Sequence, residues 1–453
     1  MTAPEAIQPA RTRALIEASL DRLAPDGPLG IAVSGGGDSV ALLVVADAWA
    51  RRSARELHVA TVDHGLRAAS AIEAEGVAVF CRRLGRPHET LPVARIDPSG
   101  AGNLPAIARE ARYGALAGWA RHHHLPAILL GHTLDDQAET VLMRLARGSG
   151  AEGLSGMDEI STHHDMAWLR PMLDVRRQAL RELLREAGVG WVDDPTNEDP
   201  AQDRIKARRV LAELAPLGID AEGLARTADR LRRQSRVLRL DALHLAGNAV
   251  EVRAGGVFID RAALRGAEED TRLRLVANCI MAITGAEYRP RFRALEPAVD
   301  NLCGPEPKRV TLAGCLLEPL PGGDAPEAIL ICRETSAVVP PQELVPGQTD
   351  WDRRWRLSVP ASAPRGHLLG AVGEAGMAGI SAAASQNDRG PGEGWFSLPA
   401  ALRKCLPAIR DGSGDIVAVA STKGTFQTLK MPDLNIISED LVPGRLWASL
   451  PGR

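Results

Sequence analysis

The sequence predicts an α/β fold in which a doubly wound parallel sheet is followed by a helical middle domain and a small α+β C-terminal domain. Two observations support this prediction. Short apolar runs alternate with helical patterns between residues 29 and 216, which is the rhythm of successive β-α-β units. A chain of 453 residues is also too long for a single hydrophobic core, so more than one domain is expected.

Five apolar runs supply the strands of the predicted sheet: residues 29–33, 57–62, 88–93, 127–130 and 168–170. Helical patterns lie between or after them at residues 39–53, 69–84, 104–123, 135–147 and 176–187. This alternation favours parallel strands with helices on both faces. Ligands of such folds bind beyond the carboxyl ends of the strands, so the residues just after each strand are the first candidates for a site.

The rhythm changes near residue 217. We predict a first domain at 1–216, a mainly helical domain at 217–337, a linker at 338–349 and a C-terminal domain at 350–453. The linker is rich in proline and polar residues, which are typical of connecting segments. Within the last domain, the small residues of 373–394 indicate a mobile loop.

Composition excludes several classes of protein. The charged fraction is 25%, and no apolar run approaches the roughly 18 residues of a membrane span. The N-terminal segment lacks the pattern of a signal peptide, so we expect a cytoplasmic protein without a membrane association. The net charge of −3 does not indicate nucleic-acid binding. Arginines do cluster at 176–185, 204–209 and 226–239, but basic helices are more often solvated faces.

The cysteines indicate neither a metal site nor a disulfide framework. The chain has six of them, Cys81, Cys279, Cys303, Cys315, Cys332 and Cys405, and none belongs to a C-x-x-C pair. We therefore expect reduced, mostly buried thiols.

A glycine-rich turn carries the clearest motif. The first strand runs directly into Ser34-Gly35-Gly36-Gly37-Asp38-Ser39, and a helix follows. Glycines let the backbone approach a ligand, and the start of a helix offers unpaired N–H groups to a phosphate. A Walker A loop is excluded because Gly36 stands in place of its lysine, and a dinucleotide fingerprint because Val40 replaces its third glycine.

Asp38 is unusual in a phosphate loop because its charge repels phosphates. A divalent cation, Mg²⁺ above all, between this carboxylate and the ATP oxygens would remove the repulsion. The alternative is a glycine turn in which Asp38 only caps the helix.

The hexapeptide resembles the pyrophosphatase loop, S-G-G-x-D-S, of enzymes that split ATP between the α- and β-phosphates. The resemblance implies an adenine nucleotide alpha hydrolase-like fold. Further motifs follow in order: Asp63-His64-Gly65-Leu66-Arg67, Asn103, Arg109 with Arg112, Gly131-His132-Thr133-Leu134-Asp135-Asp136-Gln137-Ala138-Glu139-Thr140, Arg147-Gly148-Ser149-Gly150, Asp194-Pro195-Thr196-Asn197, Arg204 and Arg208. In this order and spacing, residues 29–210 resemble the tRNA(Ile)-lysidine synthetase family, and the C-terminal half resembles it more loosely.

The helix after the fourth strand concentrates acids. Asp135 and Asp136 lie four and three residues before Glu139, so they share one helix face. The cluster suits Mg²⁺ or the ammonium groups of a lysine substrate, although acids also favour a first helical turn without any ligand. His132 could hydrogen-bond a phosphate or a developing charge. Arg112 could hold a phosphate or a carboxylate, or it could be an exposed helix arginine.

The family resemblance implies an ATP-dependent ligase that joins L-lysine to carbon 2 of the wobble cytidine of tRNA(Ile) with a CAU anticodon. The cytidine is first adenylated, pyrophosphate leaves, and the lysine ε-amine displaces AMP, which changes the codon read from AUG to AUA. ATP and Mg²⁺ are the implied cofactors, and residues 1–216 become the ATP-pyrophosphatase domain. The other two domains would bind tRNA, and a homodimer is left open.

The resemblance also implies roles for particular residues. The implied catalytic residues are Asp38, Arg112, His132, Asp136 and Glu139. The implied ATP-binding residues are Ser34, Gly35, Gly36, Gly37, Asp38, Ser39 and Asp63, and Asp38 also binds the metal. The implied substrate-binding residues are Asp135, Asp136, Glu139, Arg204 and Arg208.

The chain departs from the family pattern at Pro105, Gln202 and Ile205, which leaves the geometry of the neighbouring helix starts open. The main alternative is a tRNA 2-thiolation enzyme of the same superfamily, which the unpaired cysteines disfavour. An amide synthetase of the NAD or GMP type would need an ammonia source, and no glutaminase motif is evident. A non-catalytic RNA-binding or nucleotide-sensing protein is disfavoured by the intact loop and acids.

Overall fold

The computed structural model divides the chain into two compact units, Met1–Ser235 and Arg236–Arg453. It describes residues 8–63, 68–93, 104–192, 203–286, 288–323, 326–386, 394–420, 426–428 and 437–449. No helix in these ranges is both long and apolar enough to cross a membrane.

The first unit alternates helices with strands along the chain. Its helices are α1 (Pro9–Leu23), α2 (Gly37–Arg52), α3 (Ala68–Leu84), α4 (Leu104–His122), α5 (Leu134–Ala146), α6 (Ala151–Leu154), α7 (Arg177–Glu186) and α8 (Asp203–Leu214), and the boundary with the second unit falls inside α9 (Ala221–Ala249). Its strands are β1 (Leu29–Ala32), β2 (Leu57–Asp63), β3 (His88–Pro92), β4 (Ala127–Leu129), β5 (Ile160–His163) and β6 (Met166–Leu169).

The six strands form one sheet in the order β3-β2-β1-β4-β6-β5. Neighbouring strands are parallel from β3 to β6, and only β5 runs antiparallel, as the partner of β6 in a hairpin. The strand order reverses between β1 and β4. Because ligands of open α/β sheets bind at such a reversal, the carboxyl ends of β1 and β4 mark the expected site.

Helices cover both faces of this sheet. On one face, Ile16 and Leu20 of α1 pack with residues of α2, α3 and α7 against Leu29 and Ile31 of β1. On the other face, α4 packs against the sheet through residues that include Trp119. Gly30 permits this contact, since a Cβ atom there would lie 2.9 Å from the Trp119 ring. The predicted doubly wound parallel sheet is confirmed.

The second unit is built from antiparallel sheets and helices. Its strands are β7 (Val250–Arg253), β8 (Gly256–Asp260), β9 (Val310–Leu312), β10 (Cys315–Leu320), β11 (Ala328–Arg333), β12 (Gln342–Glu343), β13 (Gly347–Trp351), β14 (Trp355–Val359), β15 (Leu368–Ala371), β16 (Pro407–Arg410), β17 (Ile416–Ala420), β18 (Phe426–Thr428) and β19 (Ile437–Asp440). They form sheets ordered β7-β8-β11-β10-β9, β12-β15-β16-β17-β18 and β13-β14-β19.

The helices of the second unit are α10 (Arg261–Gly266), α11 (Glu269–Thr284), α12 (Phe292–Cys303), α13 (Gly373–Gln386), α14 (Ala400–Lys404) and α15 (Val442–Ser449). One core surrounds α11, and a second contains the buried Trp351, Trp355 and Trp395. The helices and β-sheets of this unit agree with the predicted fold class, in which helical and α+β regions follow the parallel sheet. The division at 217–337, 338–349 and 350–453 stays a prediction, and β12 lies inside the expected linker.

The interpretation of 373–394 as a mobile loop is wrong over most of its length. Residues Gly373–Gln386 form helix α13, in which Ile380 is buried and Met377 packs against the same core. These two residues are three apart, so they lie on one helix face. The remaining residues 387–393 lie outside the described part of the chain.

Candidate active site at the ends of β1 and β4

The glycine turn after β1 is closed by its own two serines. Gly35 has φ +86°, a left-handed conformation that suits glycine. The N–H of Ser34 donates to Ser39 Oγ at 3.1 Å, and Ser39 Oγ donates to the carbonyl oxygen of Gly36 at 2.9 Å. Helix α2 begins at Gly37, so the unpaired N–H groups of its first turn lie at the turn. This is the geometry of a phosphate cradle.

Two further segments pack against the turn at close range. Gly131 follows β4, and a Cβ atom there would lie 3.1 Å from both the Cα and the N of Ser39. A Cβ atom on Gly37 would lie 3.2 Å from the Trp191 ring. The N–H of Val192 donates to the Gly35 carbonyl oxygen at 3.0 Å. The turn is therefore held from two sides, by β4 and by the segment after α7.

Three carboxylates converge on one guanidinium group, that of Arg177. Arg177 donates from Nε to Asp38 Oδ2 at 2.9 Å, from Nη2 to Asp136 Oδ1 at 2.9 Å and from Nη1 to Glu139 Oε1 at 3.3 Å. Asp136 and Glu139 are buried. Although burial opposes protonation, the charges of Asp136 and Asp38 raise the pKa of Arg177. A cation therefore already occupies the centre of the acid cluster.

Two oxygens of this cluster lack a partner among the described residues. Asp38 Oδ1 and Glu139 Oε2 are buried and form no hydrogen bond with any of these residues. Burial raises the pKa of Asp38, and the charge and hydrogen bond of Arg177 oppose that shift. Buried carboxylate oxygens of this kind are costly unless a cation or donor reaches them. Oxygen ligands are also what Mg²⁺ prefers, so the residues fit a divalent cation at Asp38.

Asp136 is held rigidly at the start of α5. Its Oδ2 accepts hydrogen bonds from the N–H and the hydroxyl of Thr133 at 2.8 and 2.9 Å. Thr133 Oγ1 in turn accepts from the N–H of Asp136 at 3.3 Å, and this reciprocal pair of backbone donors forms a capping box. Burial alone would raise the pKa of Asp136, but Arg177 and the Thr133 hydrogen bond outweigh it, so its pKa is lowered. Asp136 therefore remains a carboxylate with a fixed orientation.

Three further arginines, Arg112, Arg204 and Arg208, line the cavity. Arg208 donates from Nε to Glu139 Oε1 at 2.6 Å, and Arg204 lies 3.8 Å from Asp136. Arg112 forms no hydrogen bond or ion pair with any residue that the structure describes, and burial lowers its pKa. A guanidinium without an acidic partner is suited to bind an anion, either a phosphate or a carboxylate.

His132 follows β4 and is uncharged. Burial lowers its pKa to about 3, and its Nδ1 atom is buried without a hydrogen-bond partner in the described part of the chain. A neutral imidazole can donate one hydrogen bond and accept another, but it adds no charge to the site.

These groups line a cavity of about 680 Å³. Its lining consists of Ala32, Val33, Ser34, Gly36, Gly37, Asp38, Ser39, Ala60, Val62, Arg112, Leu116, Leu130, Gly131, His132, Asp136, Arg177, Arg181, Val192, Arg204 and Arg208. Most of the residues that the sequence analysis selected therefore lie together, and Glu139 lies beside them through Arg177 and Arg208.

Some selected residues do not line the cavity. Asp135 instead accepts hydrogen bonds from the N–H of Arg177 and from the side chain of Arg176. Asp63 ends β2 and is not part of the lining, unlike its neighbour Val62. The motifs at 64–67, 194–197 and Asn103 lie outside the described residues.

Arg177 and Arg181 line the cavity, although the sequence did not predict them as site residues. Both lie in a basic stretch on a helix, and such stretches are usually solvated. One feature could have identified Arg177 as a site residue, since it is the first residue of α7. Positive charge is unfavourable at a helix N-terminus, so arginine there indicates an anionic partner nearby.

The fold and the loop define an ATP-binding α/β domain of the PP-loop class, and a family model described as a PP-loop domain matches residues 10–215. The chain belongs to the tRNA(Ile)-lysidine synthase family. It is 41% identical to the tRNA(Ile)-lysidine synthase of Ruegeria pomeroyi over 353 residues, which are 78% of this chain and 81% of the relative. The enzyme is therefore an ATP-dependent ligase.

Other relatives belong to the same family. The tRNA(Ile)-lysidine synthase of Methylobacterium nodulans is 40% identical over 67% of this chain and 91% of its own length. Among solved structures, a U34-tRNA thiolase from Methanococcus maripaludis aligns with 49% of this chain and 78% of its own, at 16% identity and a TM-score of 0.43. That likeness is too distant to support the thiolation alternative. No cysteine lines the cavity within the described residues.

Proposed function

We propose that the enzyme joins L-lysine to carbon 2 of the wobble cytidine in tRNA(Ile) with a CAU anticodon, through an adenylated cytidine, and releases AMP and pyrophosphate. The product would read AUA rather than AUG. The observation that carries the proposal is the cavity lined by the phosphate loop, Asp136 and Arg112, an arginine with no acidic partner among the described residues.

The first step would place the ATP phosphates against the turn Ser34–Ser39 and the start of α2. Asp38 would hold Mg²⁺ through its unpartnered Oδ1 atom. The metal supplies positive charge that offsets the charge developing on the departing pyrophosphate. The backbone N–H groups of the loop would contribute to the same stabilisation, and Asp63, at the end of the neighbouring strand β2, would lie on the nucleoside side.

The second step would use Asp136 and Glu139 to hold an ammonium group of lysine. Arg112 would bind the lysine carboxylate or a phosphate, and His132 would hydrogen-bond a reacting oxygen. All of these groups except Glu139 line the cavity, and Glu139 contacts two arginines that do. Asp135, which faces Arg176, would act only by fixing the start of α7.

Arg177 must leave part of the acid cluster before either ligand binds. Its guanidinium contacts the same three carboxylates that Mg²⁺ or an ammonium group would need. Two cations this close together would repel each other. The ATP phosphates would provide a new anionic partner, so we expect ATP to draw Arg177 from the acids towards the phosphates.

The tRNA would reach the cavity through its single-stranded anticodon loop, where a base can leave its stack at low cost. Arginines of α8 and α9, within residues 204–239, and the second unit would hold the rest of the tRNA. We place the reaction in the cytoplasm, and the proposal requires no particular oligomeric state.

A product assay tests the function. Purified enzyme would receive ATP labelled in the α-phosphate, carbon-labelled L-lysine and bacterial tRNA, each omitted in turn. Lysine label in an alkali-stable nucleoside, with AMP formed only when tRNA is present, is the expected result. AMP release without incorporation of lysine would retain the ATP chemistry and overturn the assignment of the amine substrate.

A further inference from the structure

Glu110, His163 and His164 bring three metal-binding groups together outside the ATP cavity. Glu110 lies on α4, whereas His163 ends β5 and His164 begins the turn to β6. One ligand atom of each residue lies within 4.8 Å of the others. Glu110 Oε2 is 3.2 Å from His163 Nε2, and Glu110 Oε1 is 2.7 Å from His164 Nε2. None of the three side chains lines the cavity described above.

We propose that these three side chains form a site for one divalent transition-metal ion of the Zn²⁺ type, with water as the remaining ligand. Zn²⁺ binds imidazole nitrogen and carboxylate oxygen at about 2.0–2.2 Å, so the ligand atoms of a tetrahedral site lie about 3.3 Å apart. The separation of 3.2 Å between His163 Nε2 and Glu110 Oε2 is close to that value. The separation of 2.7 Å between His164 Nε2 and Glu110 Oε1 is shorter, so the His164 ring would move outward to admit the ion. Two imidazoles and one carboxylate also form a ligand set that Zn²⁺ accepts.

The backbone of the hairpin supports the same conclusion. Neighbouring side chains of a regular strand point to opposite faces, which would separate His163 from His164. Here His164 and Asp165 have φ values of +54° and +56°, a conformation that is uncommon for residues other than glycine. The turn brings the two imidazole rings to 4.2 Å between centroids. An unusual backbone therefore positions both imidazoles beside one carboxylate.

His164 is also incompletely satisfied by Glu110 alone. Its Nε2 atom is shielded from solvent and forms no hydrogen bond with any described residue, although Glu110 Oε1 is 2.7 Å away. A metal ion between the two groups would satisfy both. The bound ion would tie the β5–β6 hairpin to α4. Because Arg112 lies two residues after Glu110 and lines the cavity, the ion would act as a structural clamp near the site.

Zinc binding to the full-length chain tests the proposal. Protein stripped with a chelator would be titrated with Zn²⁺ against a chromophoric competitor, and Co²⁺ would report the ligand geometry by absorption. The variants are His164→Asn, which tolerates the left-handed turn, and Glu110→Gln. His122→Asn is the matched control, since His122 is an exposed histidine on the same helix as Glu110.

We expect one Zn²⁺ per chain, and affinity at least about 10-fold lower in His164→Asn and Glu110→Gln but unchanged in His122→Asn. Zn²⁺ should raise the melting temperature of the wild type and of the control only, because binding to the folded state alone is stabilising. The proposal is overturned if the wild type binds no Zn²⁺. It is equally overturned if His164→Asn and Glu110→Gln bind Zn²⁺ as the control does, which would mean adventitious binding elsewhere.

Discussion

At the scale of single residues, Arg177 supplies the positive charge that balances the acids of the site. It is the shared partner of Asp38, Asp136 and Glu139. Replacing it with methionine removes one cation that bonds all three acids of a partly buried cluster, while Arg204 and Arg208 still contact Asp136 and Glu139. We expect Arg177→Met to lower the free energy of unfolding by roughly 3 kcal/mol. Without ATP, it should bind Mg²⁺ more tightly than the wild type, which isothermal titration calorimetry measures.

Arg176→Met is the matched control for that experiment. Arg176 precedes Arg177 but pairs with Asp135 and Glu222, and it does not line the cavity. Its loss should leave the Mg²⁺ affinity unchanged. If Arg177→Met bound Mg²⁺ no better than Arg176→Met, the guanidinium would not be competing with the metal.

His132 makes the stability of the enzyme depend on pH. In the folded protein its pKa is about 3, against 6.5 for an unperturbed histidine. Between these values the unfolded state binds one more proton than the folded state, so stability increases with pH and is lost as the pH falls from 6.5 towards 3. We expect His132→Gln to reduce the pH slope of the unfolding free energy by up to about 1.4 kcal/mol per pH unit.

Denaturant titrations between pH 4 and 7 would measure this slope. His122→Gln, which changes an exposed histidine of α4, should keep the slope of the wild type. Equal slopes in His132→Gln and the wild type would contradict a neutral, buried His132.

Sequence patterns identified the acids of the site more readily than its arginines. Asp38 follows a glycine turn, and Asp136 lies in the first turn of the helix after a buried strand, so local order along the chain predicted both as candidates. Arg177 is 139 residues away from Asp38 in the chain, and their 2.9 Å contact exists only after the sheet has formed. Local patterns contain no information about a contact between residues so far apart in the chain. Arg177 therefore could not be distinguished from an ordinary solvated arginine.

At the scale of elements, the close approach of β4 to α2 leaves no room for a side chain at Gly131. A methyl group at Gly131 would lie 3.1 Å from backbone atoms of Ser39, which cannot move without displacing the phosphate loop. We expect Gly131→Ala to lower the free energy of unfolding by about 1–3 kcal/mol and to weaken ATP binding. Thermal unfolding with and without ATP measures both effects.

Gly118→Ala gives the corresponding control. Gly118 lies in α4, and a Cβ atom there would meet no other atom within 4 Å. Alanine is about 1 kcal/mol more favourable than glycine inside a helix, so this variant should be at least as stable as the wild type. A Gly131→Ala enzyme that bound ATP normally would show that the loop does not depend on β4.

The parallel strands were predictable as elements because they are apolar and regularly spaced. Strand β5, Ile-Ser-Thr-His, was not, since it is short, mostly polar and partly exposed at the sheet edge. Helix α1 was missed, although its buried residues Ile16, Leu20 and Leu23 recur at helical spacing. The many small residues of α13 are typical of a loop. The segment is nevertheless a helix, because Ile380 is buried in a core formed by residues far away in the chain.

At the scale of the whole molecule, the overall charge of −3 conceals local positive surfaces. Arg226 and Arg230 are exposed on α9 and lie four residues apart, so they share one face. We expect the double variant Arg226→Ala/Arg230→Ala to bind tRNA more weakly. The slope of log K against log salt should also become shallower by about 2, since roughly one unit is lost per phosphate contact.

Filter binding across a range of salt concentrations would measure these slopes. Arg13→Ala/Arg83→Ala removes the same charge from exposed positions on α1 and α3 and should change the slope little. A wild-type dissociation constant that does not vary with salt would contradict phosphate contacts altogether.

The sequence pattern indicates only some of the boundaries that divide the chain. The change of rhythm near residue 217 lies close to residue 215, where the match to the PP-loop domain ends. The compact units nevertheless divide at Ser235, within the continuous helix α9. A helix shared by two units shows no break in periodicity, so composition and pattern cannot mark this boundary.

The active site draws on segments that the ribosome delivers at very different times. The phosphate turn emerges early, whereas Arg177 and Arg208, which neutralise the acids behind it, follow only after the last strand of the sheet. At bacterial rates of about 5–20 residues per second, that interval is on the order of ten seconds. The nascent chain carries Asp38 throughout this interval, whereas Asp136 and Glu139 are added only 41 and 38 residues before Arg177. A chain that ends before residue 208 therefore lacks at least one of the groups that line the ATP cavity.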